Sequence, residues 1–175
     1  MKINKTIVSG FSVIELLVVI TIVSVLAVSS LPTMLELIKD HKTAELLDEF
    51  VSALQLTQSE AVTRGIPVTI SPVNKQGNQW KVGWSVFVDL NNNAKIDQGE
   101  TLIQVYNMSS PELMLTSKDS TFSSNLTFQA SGAVKSEMSG SFRICPANHD
   151  ISKSRSIIVQ ASGNIIAKVG TLSCP

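Results

Sequence analysis

Polar and apolar positions along the chain fall into three successive patterns. Gly10 to Leu31 is an almost unbroken apolar run, with Glu15 its one charge. A helix of about 20 such residues can cross a hydrocarbon core of roughly 30 Å. A lone carboxylate there costs a few kcal/mol, which marks Glu15 as a functional candidate; near the end of the span it could equally snorkel to water. After Pro32 the pattern becomes amphipathic. Leu35, Ile38, Leu47, Phe50, Val51, Leu54, Ala61 and Val62 recur at helical spacing, with Glu36, Lys39, Asp40, Glu45, Asp48, Glu49 and Glu60 between them. One face should therefore pack on a sheet and the other stay polar. Pro32 removes a backbone donor and should kink or locally break the helix. Gly65 and Pro67 should end it, with Arg64 in its last turn. A helix from Phe11 to Thr63 would be about 80 Å long at ~1.5 Å per residue.

From Ile66 the period changes to two. Strands are predicted at Ile66–Ser71, Trp80–Asp89, Thr101–Asn107, Glu112–Thr116, Leu126–Gln129, Ser141–Cys145, Arg155–Gln160 and Asn164–Val169. Their connections are too short for crossover helices, so the pairing should be antiparallel. Trp80 and Trp84 belong to a core or a sheet face. The fold class is α+β: a long N-terminal helix, half apolar and half amphipathic, packed on an antiparallel sheet or sandwich.

Composition narrows the function. The chain has 175 residues, with 14 basic and 14 acidic side chains. This balance offers no global basic field for nucleic acid. His41 and His149 have no nucleophile near them in sequence, and the nine glycines are scattered at turns rather than gathered in a phosphate loop. An enzyme is not expected. Cys145 and Cys174 are the only cysteines and lack metal-ligand spacing. Beyond a membrane anchor, in an oxidising compartment, they default to one disulfide; the alternative is two free buried thiols.

One stretch has metal-like spacing. Asp89, Asn91, Asn93, Lys95 (through its carbonyl), Asp97 and Glu100 fall at the ligand positions of an EF-hand calcium loop. Ala94 stands where that loop wants a glycine with positive φ, a departure costing about 1–2 kcal/mol. The flanks also read as strands. The competing reading is a hairpin tip closed by Asx turns. No cofactor is otherwise implied.

The N-terminal junction carries a family resemblance. Lys2 and Lys5 lie in a short basic segment, Gly10 is followed by Phe11, and Glu15 comes four residues later. Gly10, Phe11, Ile14, Glu15 and Leu16 resemble the class III signal of type IV pilins and type II secretion pseudopilins, with Ser12 where Thr is commoner. The resemblance implies that a prepilin peptidase cuts between Gly10 and Phe11 at the cytoplasmic face. Phe11 would then be N-methylated and the apolar helix kept. Loss of Lys2 and Lys5 would leave 12 basic against 14 acidic side chains. In that family the carboxylate corresponding to Glu15 meets the N-terminal ammonium of a neighbouring subunit. Opposite charges in a low dielectric attract strongly when paired and are costly when single. Pro32 falls where the family commonly carries a helix-breaking proline, a region that can melt in the filament.

Leu54, Ser59, Glu60, Ala61, Arg64 and Val68 resemble a second motif, that of the FimT/FimU/GspH group of minor pilins and pseudopilins. Ser59 and Glu60 could fix the helix-to-strand corner there by hydrogen bonds, although composition alone favours ordinary solvated helix residues. The implied organisation is a leader (1–10), a transmembrane and assembly helix (11–31), an amphipathic helix (32–65) and a β-rich domain (66–175). The group often has an acidic, Asn-rich loop like 89–100, without calcium being implied. Its DNA-binding members carry arginines after the glycine matching Gly163; here Asn164 and Ile166 stand instead, with Lys168, Lys153 and Arg155 nearby at most. Weak phosphate binding follows. The resemblance implies a structural minor pilin in the initiation or tip complex of a type IV pilus, set in the bacterial inner membrane with its domain in the periplasm. Its partners would be other pilins and prepilin peptidase, with DNA unlikely. Alternatives are a minor pseudopilin of a type II secretion system and a DNA-binding competence pilin. The cysteine pair leans toward the pilus.

Overall fold

The computed structural model describes residues 11–74, 80–108, 112–118, 120–146, 150–170 and 174, and only the backbone of 28–33, 35 and 36. By its contacts the chain divides into two units, Met1–Ile38 and Lys39–Pro175.

One helix, α1 (Val13–Arg64), contributes to both units. Its assignment continues through Pro32, so the break expected there does not occur. A proline removes one donor, and the ladder on either side of a single missing bond can persist. Within the first unit the described side chains from Phe11 to Ala27 are all exposed. The helix starts in a capping box: the Ile14 N–H donates to Ser12 Oγ at 3.2 Å, and the Ser12 N–H donates to Glu15 Oε2 at 3.4 Å.

Among its described residues the second unit carries eight strands: β1 (Val68–Pro72), β2 (Gly83–Val88), β3 (Leu102–Asn107), β4 (Leu113–Ser117), β5 (Leu126–Phe128), β6 (Gly140–Pro146), β7 (Arg155–Val159) and β8 (Ile165–Val169). All eight sequence-predicted strands are present, and every pairing is antiparallel. They form two four-stranded sheets, ordered β3-β2-β1-β5 and β4-β6-β7-β8.

The strand expected to begin at Trp80 begins instead at Gly83, after a 3-10 turn over Trp80–Val82. The cause is local. Gly83 has φ +129°, and a Cβ there would lie 2.1 Å from the carbonyl oxygen of Tyr106 on β3. Only glycine admits that approach. The turn leaves Trp80 fully buried, its indole N–H donating to the Phe122 carbonyl at 3.0 Å.

The amphipathic half of α1 supplies Leu46, Phe50, Ala53, Leu54 and Ala61 to a single core shared with both sheets. Phe50 is its hub. It meets Trp80, Trp84 and Phe142 edge-on at centroid distances of 5.5, 4.9 and 4.8 Å, joining helix, first sheet and second sheet. The opposite face of the first sheet is also buried but polar: Thr69, Ser71, Ser85 and Thr127 lie there beside Phe87.

Candidate functional site

The residues singled out by the sequence do not form one cleft; they fall at four separate places. Gly10 lies outside the described residues, as do Lys2, Lys5 and His149. Phe11 is exposed and precedes the helix, and Glu15 sits in its first turn as the acceptor of the capping box. The side chain of Pro32, like those of the other residues from 28 to 31 that complete the expected span, is not described. Among the described residues no helix is long and apolar enough to cross a membrane.

The loop from Asp89 to Glu100 joins β2 to β3. Asp89 is fully buried and anchors it. One carboxylate oxygen accepts from the Asn93 N–H at 2.9 Å. The other accepts from the Thr69 hydroxyl at 2.7 Å and the Ala94 N–H at 3.1 Å. Thr69 in turn shares a 2.7 Å bond with Thr127. Ala94 adopts φ +57° and Asn92 φ +58°, so the left-handed turn that the calcium pattern asks for is made without a glycine. The oxygens also accept hydrogen bonds within the loop. The side-chain oxygens of Asn91 and Asn93 accept from the N–H groups of Asn93 and Lys95. Asp97 accepts from the side-chain amides of Asn91 and Asn93. Glu100 accepts from the N–H groups of Leu90 and Asp97 at 2.8 and 3.0 Å. Among the described residues no three His, Cys, Asp or Glu side chains are gathered as a metal would need. In this arrangement the proposed calcium donors close a hairpin tip of Asx turns.

Near the corner where α1 hands over to β1, Ser59 and Glu60 sit as ordinary helix residues rather than as a fix for the turn. Ser59 is exposed, and Glu60 pairs with Arg64 one turn on. Gln58 makes the tie. Its amide donates to the carbonyls of Gly132 and Gly163 at 2.8 and 3.0 Å, pinning two distant turns to the helix. Gly163 has φ +90°, and a Cβ there would lie 2.0 Å from the Gly132 carbonyl oxygen. Gln58 stands in the sequence beside the motif that drew attention, but a helical glutamine carries no mark of which carbonyls it will meet.

At the C-terminal end Cys145 and Cys174 are joined by a disulfide, with Cα atoms 5.8 Å apart. Cys145 is buried on β6. The basic residues considered for DNA do not converge. Lys153 pairs with Asp40 at 3.8 Å. The Arg155 guanidinium donates to the carbonyls of Lys153 and Ser154. Lys168 stands opposite Ser156, on the other face of the sheet from Arg155.

Comparison with known proteins places these features. The family model described as type II transport protein GspH matches residues 46–163. No curated protein sequence matches significantly. The fold is similar to the type IV minor pilin FimU of Pseudomonas aeruginosa, with a TM-score of 0.64 and 19% identity, covering 77% of this chain and 93% of that one. It is also similar to the minor pseudopilin EpsH from the type 2 secretion system of Vibrio cholerae, with a TM-score of 0.53 and 14% identity, covering 73% of this chain and 96% of that one.

Proposed function

The chain belongs to the GspH family, and from that premise we propose that it is a structural minor pilin of the initiation or tip complex of a type IV pilus. It is a filament subunit of the minor pilin or pseudopilin kind, not an enzyme. The observation that carries this reading is the family match over residues 46–163, standing behind the prepilin-type junction of Gly10, Phe11 and Glu15. In this reading prepilin peptidase cuts after Gly10, residues 11–31 hold the subunit in the inner membrane, residues 32–65 continue the helix into the β-rich domain at 66–175, and Glu15 docks it against a neighbour. The disulfide at Cys145 and Cys174 supports a pilus. The description of the family as a type II transport protein supports the second reading, a minor pseudopilin. A DNA-binding role is disfavoured by the engagement of Lys153 and Arg155 within the protein.

The test is to isolate the full chain from membranes with its partners. Glu15→Val should leave membrane insertion intact and reduce co-purification of other pilins. Undiminished co-purification would remove the docking role of Glu15. Partners drawn from secretion components rather than pilins would decide for the second reading. For the loop, we propose a hairpin tip rather than a calcium site, because its donor oxygens are taken up by backbone and amide groups. Millimolar calcium should leave the melting temperature unchanged; a rise abolished by Glu100→Ala would establish the calcium site instead.

A further inference from the structure

The two sheets expose four edges, and three of them are blunted. β5 is only three residues long. β4 has the Trp80–Val82 turn packed against it. β8 carries Lys168, a charge of the kind that discourages pairing with another strand. β3, Leu-Ile-Gln-Val-Tyr-Asn, has no charge and no proline, and among the described residues its only sheet neighbour is β2.

Hydrogen bonding shows which backbone groups the edge presents. The Met108 N–H donates to the Val82 carbonyl at 3.0 Å, on the β2 side. Alternation along the strand then turns the N–H and C=O of Val105 and Asn107 away from β2. The register gives β3 one extra residue, Ile103, between the partners of Val86 and Phe87. That bulge brings Leu102 to the same face as Val105, although they are three apart. Both are nearly half exposed, at 47% and 46%. With Val73 and Ile96 they rim a groove of about 260 Å³ floored by Ser85 and Phe87. An unpaired edge beside a groove is the arrangement that strand addition uses: main-chain bonds hold the guest, and the groove takes its alternate side chains.

Charge indicates what the guest must be. Asp97 and Glu100 immediately precede β3 in the chain. At the other end Glu45 lines a cleft with Tyr106 and Asn107, where Lys42 is taken up by Glu112. We infer that the free edge of β3 is a strand-addition site for an extended segment of another filament subunit, apolar at alternate positions and basic at its ends. This rests on the reading of the chain as a filament subunit.

The experiment uses the full chain in cells that assemble the filament, with a photo-cross-linking benzoylphenylalanine at Leu102. Irradiation should give an adduct that mass spectrometry maps to a strand of a different filament subunit. Val105→Pro removes an outward donor without costing a bond to β2. It should reduce the adduct by roughly tenfold or more, the loss of ~1.4 kcal/mol of binding, while the Cys145–Cys174 disulfide still forms. If Val105→Pro fails to form the disulfide, Val105→Lys is read in its place and should show the same loss. An adduct indifferent to both substitutions, an adduct between two copies of this chain, or one on a helix or lipid would overturn the proposal. Absence of pilins or pseudopilins from the purified wild-type material would instead overturn the premise. If they co-purify and only the adduct is missing, the edge proposal alone fails.

Discussion

The loop Asp89–Glu100 and the C-terminal clasp solve the same problem by different means. Each ties a residue outside the strands back to one: Asp89 to Thr69 of β1, and Cys174 to Cys145 of β6. The loop is held from inside, by a fully buried carboxylate that accepts from two loop N–H groups and a threonine. The chain end is held by one covalent bond, closing 29 residues of separation. A polar network works only where both flanks are already packed, because its bonds are individually modest and costly to leave unmade. A disulfide needs no such support, since in the chain-entropy account it acts on the unfolded state.

The comparison can be tested by removing each tie, and the largest effect should come from the covalent one. Cys174→Ser should lower the stability of the full chain by about 3–4 kcal/mol, less any strain, read as a fall in melting temperature and faster proteolysis beyond β8. A reductant should reproduce the fall in the wild type and do nothing to the mutant. Two titratable thiols in unreduced, denatured protein would eliminate the clasp. Asp89→Ala should cost about 1–3 kcal/mol, because it takes the acceptor from the buried Thr69 hydroxyl and from two loop N–H groups. Its effect should be insensitive to reductant. The two ties lie in different sheets and share no partner, so the double mutant should be additive within ~0.5 kcal/mol. A larger coupling would show that loop and clasp are not independent.

The smallest effect concerns pH. Burial first, and then the charges of Glu49 and Glu45, push the Tyr106 phenol above its ordinary value. The folded state therefore favours the neutral phenol. That contribution is fully present below the unfolded pKa, near 10, and is lost as pH rises through the higher folded pKa. Tyr106→Phe should flatten the alkaline decline in melting temperature, and an unchanged decline would assign it to other groups.

Much of this protein follows from periodicity and punctuation. The long helix, its end at Gly65 and all eight strands are marked by local signals: a period of 3.6, then a period of two broken by Gly, Asn, Ser and Pro. The disulfide follows from having two cysteines in a chain whose N-terminal run predicts export. Tertiary structure decided what depends on atoms distant in sequence. The strand at Trp80 waits for Gly83 because the backbone of β3, more than 20 residues on, comes too close for any side chain. Gln58 pins the turns at Gly132 and Gly163 to α1, and they lie 74 and 105 residues away from it. The calcium spacing at 89–100 has the same limit: a list of oxygen donors does not say whether they turn toward a common point or toward the loop's own N–H groups. Local pattern sets which segments are helix or strand because those bonds close within a few residues. Long-range contacts set the partners of Trp80, Gln58 and Asp89, and with them the burial of the indole, the tie across the Gly132 and Gly163 turns and the anchor of the loop.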